Sequence, residues 1–386
     1  MIWALYISSV IAGDAVIDDK VDEVEPDIPR WGGLVLPLFG ATSSDGVGLG
    51  LGGEVFRRKA GESEGYHAKL AVQLYANVRL DYTNDYVRFE LNDRTSWLAS
   101  AGYLAWSNML YAGVGGADVV IDHGEKELGT SLGGPTASVL AARSMFGDRT
   151  QLFVQAYGRG VSVEPGADSL LADRAPLGST GAVYGDLTLG VHRRKVDRWP
   201  LPVGGSSVEA SVRLGGTLAE GSVRPLGGVM LEAMGWRGVF GDRVVIGGRG
   251  LFEHTLGERP FFEQDRVGGR SRDELGSEQA LAGYGRVRTR GDGVLAGLVE
   301  VRPALFAVGQ GFFDFQFHLS LVAEQGWLFR EGRPGPPMPT LGVGLPVLFQ
   351  KAIVVRPFMA WGWIRDDALG PRSPRPQFGI SLMDPM

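Results

Sequence analysis

Polar and apolar side chains alternate along several segments of this chain. From residue 66 to residue 80 every second side chain is apolar, with polar residues such as His67 and Lys69 between them. The same pattern returns at residues 207–214 and 313–321. A period of two over such lengths predicts β-strands with one apolar and one polar face.

Runs of this kind, separated by turn residues, predict about sixteen strands, an even number as in single-chain bacterial barrels. The predicted strands are residues 31–39, 47–57, 66–78, 83–91, 96–108, 133–146, 150–163, 182–196, 206–215, 227–240, 243–256, 293–305, 312–329, 338–350, 352–365 and 375–384. No apolar run approaches the roughly 18–20 residues of a membrane-spanning helix. A membrane protein with this sequence must therefore cross the bilayer as a closed barrel.

The connections between these runs alternate in length. Short connections are predicted at residues 92–94, 147–149, 241–243 and 350–351, and long ones at 115–131, 164–180, 215–226, 258–283, 330–337 and 366–376. Short inner turns and long outer loops are typical of an all-β, transmembrane antiparallel β-barrel. Its apolar face is expected to contact lipid, with outward residues that include Leu70, Val72, Leu74, Phe315, Phe317 and Leu319.

The N-terminal residues do not follow the strand pattern. Residues 1–15 contain a short apolar core and are predicted to be a signal peptide. Residues 16–30 are acidic and are expected to form a flexible lead-in. The predicted barrel then occupies residues 31–386.

Composition excludes several classes of function. The chain has 386 residues, 59 glycines, no cysteine and a net charge of −6. The acidic balance argues against nucleic acid as a partner, and the absence of cysteine excludes disulfides and thiolate metal sites. The five histidines are scattered, so we expect no metal, no cofactor and no enzyme activity. A Ser/His/acid set on the barrel wall stays open, because only geometry reveals one.

A turn sequence recurs at Phe146-Gly-Asp-Arg149 and Phe240-Gly-Asp-Arg243. Ordinary turn chemistry explains it, and the alternative is a position at the level of the periplasmic headgroups.

The segment from Phe261 to Arg302 contains the longest charged loop of the chain and the strand that follows this loop. It contains Gly268-Gly269 and Gly283-Tyr284 and ends in Glu300-Val-Arg302. A connection of this length between strands is expected to be functional or disordered.

The order of these residues resembles the sixth outer loop and following strand of the BamA/TamA (bacterial surface antigen) superfamily. Further similarity lies at residues 36–50, which resemble the first hairpin of short members, at Glu324-Gln-Gly326, where the family has Asp-x-Gly, and at residues 341–344. The resemblance implies a loop that folds back into the lumen. It also implies a loop tip of Arg-Gly-Tyr or Arg-Gly-Phe whose Arg contacts an acidic residue on the wall.

The sequence departs from this pattern at the tip, where Ala282 occupies the Arg position. The wall acids are Glu300 and Glu324, and Arg286 is the predicted substitute for the tip Arg, with Arg270, Arg272 and Arg288 as further candidates. The alternative is that these loop charges are solvated and that Glu300 pairs only with barrel residues such as Arg302.

The resemblance implies an integral barrel of the Gram-negative outer membrane that aids assembly or translocation of proteins or lipids. Its expected partners are outer-membrane lipid and a protein or lipid cargo. We expect no POTRA domains and no POTRA-recruited partners. The sequence ends Leu-Met-Asp-Pro-Met, without the terminal aromatic of many such barrels. A passive pore and a barrel-embedded hydrolase are the alternative functions.

Overall fold

The computed structural model describes the chain from Trp31 to Met383, with gaps. The described residues are 31–42, 46–58, 66–77, 82–91, 95–110, 129–145, 149–166, 169–197, 201–264, 266–267, 273–274, 281–284, 290–309, 315–330, 332–349, 353–363 and 374–383. The predicted signal peptide and lead-in, residues 1–30, lie outside them.

The described chain is dominated by strands that follow one another as an antiparallel meander. They are β1 Trp31–Thr42, β2 Gly46–Arg58, β3 Tyr66–Asn77, β4 Tyr82–Leu91, β5 Thr95–Leu110, β6 Gly129–Met145, β7 Thr150–Pro165, β8 Ala182–Val196, β9 Gly205–Ala219, β10 Ser222–Val239, β11 Val244–Gly257, β12 Gly293–Val308, β13 Phe315–His318 continued by Ser320–Arg330, β14 Met338–Gly344 continued by Val347–Phe349, β15 Ile353–Trp363 and β16 Pro374–Met383. A short segment, Arg333–Pro334, extends the hairpin that follows β13.

The remaining elements are short and lie between strands. A helix, α1, spans Leu170–Arg174, and 3-10 turns span Phe261–Glu263 and Ala282–Tyr284. Arg266–Val267 pairs with Asp273–Glu274 in a small separate ladder. Among the described residues, no helix has the length and apolar character needed to cross a membrane.

Each strand pairs with its neighbour in sequence, and β16 returns to β1 through Thr42 opposite Gly379. The predicted fold class, an antiparallel β-barrel of about sixteen strands, is therefore confirmed. We call the end with the described turn residues 201–204 and 240–243 the inner end. The opposite end, which holds the described residues of the connections at 166–181 and 258–292, is the outer end.

The prediction of a long loop at residues 215–226 is wrong. Residues Glu220 and Gly221, at φ +53° and +73°, make a two-residue hairpin turn between β9 and β10. Gly215 and Gly216, which the predicted loop included, belong to β9. A Cβ on Gly215 would stand 2.2 Å from the Gly185 carbonyl oxygen, so this glycine permits close strand packing.

The two faces of the strands separate as the alternation predicts. On β3, Leu70, Val72 and Leu74 are 45%, 39% and 55% exposed, whereas Gln73 and Tyr75 are buried. The apolar side chains thus face outward and the polar ones face the lumen. On β13, Phe315, Phe317 and Leu319 are half-buried, and the Phe317 ring stacks on the exposed Phe306 with centroids 4.7 Å apart.

Candidate functional site

The long outer loop between β11 and β12 is fixed at its base by Arg259. This side chain is 2% exposed and donates to Glu253 Oε1 on β11 at 3.2 Å. It also donates to the carbonyl oxygens of Arg266 at 3.0 Å and Gly291 at 3.2 Å. A single guanidinium therefore joins the beginning and the end of the loop to the barrel wall.

The 3-10 turn Phe261–Glu263 carries the loop into the lumen. Glu263 is 1% exposed and accepts hydrogen bonds from Arg159 at 3.1 Å and from the Tyr157 hydroxyl at 3.3 Å. The Arg159 guanidinium also lies over the Phe262 ring, 5.3 Å from its centroid. A buried carboxylate needs such partners, because an unpaired charge in a dry site is strongly destabilising.

A second set of charges continues along the wall from the loop base. Arg213 on β9 lies 3.3 Å from Glu253 and 3.9 Å from Asp186 on β8. Glu253 thus binds one arginine of the wall and one of the loop. This shared carboxylate connects the wall to the folded loop.

The preceding outer loop packs against this one. Ser169 caps the N-terminus of helix α1, since its hydroxyl accepts a 3.2 Å hydrogen bond from the Ala172 amide. Leu171 of this helix is completely buried. The Phe261 amide donates to the Leu177 carbonyl at 3.0 Å. The apolar cluster at this contact consists of Leu132, Tyr157, Val161, Val163, Leu171, Ala182, Tyr184, Ala219, Leu226, Phe261 and Phe262. The two loops therefore fill lumen space near the outer end.

The loop tip binds the barrel wall through its backbone. The Leu281 amide donates to Glu324 Oε2 on β13 at 2.7 Å, and the Ala282 amide interacts with the same carboxylate. Leu281 has φ +57° and is fully buried. Its left-handed backbone belongs to the turn that points these amides at the wall.

Two glycines allow the tip to lie this close. A Cβ on Gly326 would stand 2.5 Å from Leu281 Cδ2, and one on Gly283 would stand 2.4 Å from the Gly362 nitrogen. The Tyr284 hydroxyl lies 3.0 Å from the carbonyl oxygens of both Pro339 and Trp363. The tip is therefore seated on β13, β14 and β15.

The structure brings four of the predicted site residues together at the tip, namely Gly283, Tyr284, Glu324 and Gly326. Gly268, Gly269 and Arg286 lie outside the described residues, as do Arg270, Arg272 and Arg288. The sequence predicts a loop guanidinium at Glu300 or Glu324. Within the part of the chain that the structure describes, the hydrogen bond to this carboxylate comes from the main chain, because Ala282 has no donor side chain.

Glu300 and Arg302 lie apart from the tip, in a cluster nearer the inner end. Glu300 accepts from Ser320 Oγ at 2.6 Å and lies 3.4 Å from both Arg302 and Arg356. Arg356 also donates to Ser320 Oγ at 2.7 Å. The alternative in which Glu300 pairs with barrel residues such as Arg302 therefore describes this cluster.

The inner turn between β8 and β9 reaches across the inner end of the barrel. The Arg302 guanidinium donates to the Pro202 carbonyl oxygen, and Leu201 packs with Leu348 on β14 and Val354 on β15. All five of these residues are buried. Leu201, just before β9, therefore contacts a strand six positions away around the barrel. The turn narrows the lumen at its inner end.

Comparisons with known proteins place the fold. No protein-family model matches the sequence, and the search of curated proteins gives no match. Among solved structures, BamA from Haemophilus ducreyi lacking POTRA domains 1–3 aligns with 92% of this chain and 71% of its own, at 13% identity and a TM-score of 0.58. CdiB from Escherichia coli aligns with 92% of this chain and 64% of its own, at 12% identity and a TM-score of 0.62.

CdiB from Acinetobacter baumannii aligns with 91% of this chain, at 13% identity and a TM-score of 0.52. This chain has the barrel fold of BamA and CdiB. It spans 59% of the Acinetobacter CdiB chain and 64% of the E. coli one. These neighbours are bacterial outer-membrane barrels, and the BamA/TamA resemblance of the sequence is confirmed at the level of the fold.

A serine and a histidine meet on the lumen wall of this BamA-like barrel. His192 Nε2 on β8 and Ser207 Oγ on β9 are 3.0 Å apart. Glu209 lies directly opposite His192 in the strand register and is buried. The Ser207–His192 pair supplies two members of the Ser/His/acid set that sequence alone left open. Among the described residues, no group of three His, Asp or Glu side chains is placed to hold a metal ion.

Sequence reasoning missed the charges that hold the loop base, namely Arg159, Arg213, Glu253, Arg259 and Glu263. Strand alternation had placed polar residues on the lumen faces without indicating which would pair. The signal for the loop was Phe261-Phe262, an apolar pair at the start of a segment otherwise rich in charge. Two adjacent phenylalanines there indicate a segment that packs inward.

Proposed function

We propose that this chain is an integral outer-membrane barrel of the BamA/TamA type that aids assembly or translocation of proteins or lipids. The observation that carries the proposal is the hydrogen bond between the Leu281 amide and Glu324, which seats the outer loop on the lumen wall. The inner turn adds a second obstruction at Pro202 and Arg302. A passive pore needs a continuous open path through the lumen. These two contacts narrow the lumen near its outer and inner ends.

The seam between the first and last strands supports the same proposal. β1 pairs with β2 from Trp31 to Thr42. Its other edge meets β16 at Thr42 and Gly379 among the described residues. Unpaired strand edges accept further strands by backbone hydrogen bonding. An incoming strand could therefore pair with the exposed backbone groups of β1 or β16 within the membrane.

The test is deletion of the gene in its native host, followed by profiling of outer-membrane proteins and lipids. We expect a defined set of proteins or lipids to be depleted, with recovery on complementation by the wild type. An unchanged membrane profile together with slower uptake of small solutes would instead assign a passive pore.

The Ser207–His192 pair makes a hydrolase the second candidate. In that reaction, the Ser207 hydroxyl attacks an ester carbonyl, His192 takes its proton and returns it to the leaving alcohol, and water then releases the acyl group. A fluorophosphonate probe applied to the purified barrel tests this candidate. Labelling that disappears in Ser207→Ala and in His192→Ala supports a hydrolase, and equal labelling of all three proteins eliminates it.

A further inference from the structure

We propose that the inner end of the barrel, on β6 to β10, carries a binding surface for anionic phospholipid headgroups. The surface consists of Arg143 on β6, Arg193 and Lys195 on β8, and Arg237 on β10, which we call the basic band. The proposal rests on the outer-membrane placement proposed above, and it names the lipid chemistry that this side of the barrel recognises.

Each member of the basic band faces outward and lies near the inner end of its strand. All four side chains are exposed, and each lies within three residues of the inner end of β6, β8 or β10. By strand alternation they share a face with exposed apolar residues nearer the middle of the same strands, for example Val139, Val191 and Leu231. The cations therefore begin where the apolar belt ends, which is the level of lipid phosphates.

The charges on the outward face are distributed asymmetrically. In the described parts of β6 to β11, the outward-facing cations are the four residues of the basic band. The outward-facing carboxylate of the same strands is Glu164, at the opposite, outer end of β7. Glu209, beside the band on β9, faces the lumen and is buried. This excess of positive charge on one edge fits an anionic partner and disfavours a neutral one.

Two carboxylates in the described inner turns have contacts within their own turns. Asp197 accepts a 3.0 Å hydrogen bond from the Val203 amide within its own turn. Asp242 lies at φ +64° in the turn that follows β10, and its carboxylate lies beside Gly238.

The recurring turn sequence belongs to the same surface. It extends to Arg-x-x-Phe-Gly-Asp-Arg at residues 143–149 and again at 237–243. In the second copy Phe240 has φ +53° and is 82% exposed, and Arg243 is exposed next to it. An exposed aromatic ring between two arginines is typical of a membrane interface. We therefore attribute the second copy of this sequence to headgroup contact rather than to turn chemistry alone.

The spacing of the band suits separate headgroups. β6, β8 and β10 are each two strands apart, or roughly 10 Å. Arginine binds phosphate oxygens through two parallel hydrogen bonds, and a basic residue near an anionic membrane surface contributes about 1 kcal/mol. That free energy corresponds to about a fivefold change in lipid preference for each cation removed.

The experiment uses the full-length barrel inserted into vesicles of phosphatidylcholine with phosphatidylglycerol as a minor component. The barrel is extracted mildly, and the ratio of the two retained lipids is measured by mass spectrometry. In the double variant Arg193→Gln/Lys195→Gln, we expect the retained phosphatidylglycerol to fall by about tenfold or more. Raising the ionic strength should reduce the enrichment of the wild type.

The matched control is Arg194→Gln/Arg224→Gln, which removes the same charge. Arg194 lies between the two band residues but on the lumen side, and Arg224 lies near the outer end of β10. The control should retain phosphatidylglycerol as the wild type does. Equal enrichment in both double variants would overturn the proposal. A failure of the proposed membrane location appears separately, as a chain that does not insert into vesicles at all.

Discussion

The backbone amide of Leu281, in an outer loop, donates a 2.7 Å hydrogen bond to the buried carboxylate of Glu324 on the barrel wall. This contact explains how the loop is held although Ala282 stands where the BamA/TamA pattern has Arg. Main-chain donors are present whatever the side chain, so a turn that directs them at a carboxylate does not require a guanidinium. The glycines at 283 and 326 are the sequence features that allow this approach.

Replacing Glu324 by Ala should release the loop tip. The change leaves the buried Leu281 amide without its acceptor, at a cost of about 1–3 kcal/mol. Glu324→Gln keeps an acceptor oxygen and should cost less. Single-channel conductance in planar bilayers should rise in Glu324→Ala above both other proteins, and equal conductance in all three would contradict the role of this contact.

A Gly326→Val substitution should displace the tip by steric contact alone. The new side chain would overlap Leu281, which is fully buried and has little space to move. Overpacking of this kind costs about 1–3 kcal/mol. Limited proteolysis of the loop in folded barrels should become faster. Gly297→Val is the control, since a Cβ at Gly297 meets no atom within 4 Å. If Gly297→Val accelerated cleavage as much as Gly326→Val, the effect would not come from overlap with Leu281.

The Tyr284 hydroxyl should contribute measurably to holding the tip. It lies 3.0 Å from two carbonyl oxygens, and Tyr284→Phe removes the donor while preserving the ring. We expect a loss of about 0.5–1.5 kcal/mol in the free energy of unfolding, measured by urea titration in lipid vesicles. Tyr103→Phe, at a half-exposed residue on the outward face of β5, should change it little. An equal loss in both variants would show a general effect of removing a hydroxyl.

Arginine at Val72 should destabilise the barrel. Val72 is on the outward face of β3, and a cation on the lipid face near the midplane costs about 2–4 kcal/mol. Folding of Val72→Arg and Gln73→Arg into vesicles can be compared by the heat-dependent shift in gel mobility. If Val72→Arg folded as readily as Gln73→Arg, the lipid and lumen faces would be reversed.

Removing Arg302 should widen the inner end of the lumen. Its guanidinium is 4% exposed and binds the Pro202 carbonyl of the inner turn as well as Glu300. Arg302→Ala should increase conductance and expose a cysteine introduced at position 201 to a periplasmic-side thiol reagent. Arg243→Ala, at an exposed turn residue, should do neither. An unchanged labelling rate at position 201 would mean that other contacts hold the turn.

The sequence by itself determined the barrel. Its period-two alternation and turn residues placed sixteen strands. The largest difference is at the start of β10, predicted at 227 and observed at 222. The start of β6, predicted at 133 and observed at 129, and the end of β9, predicted at 215 and observed at 219, differ by less. Every strand has one face toward lipid and the other toward a polar lumen, so each strand must alternate apolar and polar residues. This alternation is local to the strand and can be read from the sequence. The orientation of Leu70, Val72 and Leu74 could be read for the same reason.

The tertiary structure alone decided how the lumen is filled. Glu253 pairs with both Arg213 and Arg259, and Glu300 pairs with both Arg302 and Arg356. Glu324 accepts a hydrogen bond from the Leu281 amide. Three of these contacts join residues far apart in sequence, namely Arg213 with Glu253, Arg356 with Glu300 and Leu281 with Glu324. Alternation gives every lumen residue the same pattern, so it does not indicate which of them will pair. Which carboxylate meets which donor depends on strand register, on the path of the loop, and on glycines that let two backbones touch. These are long-range packing choices, so the pattern of polar and apolar residues does not contain them.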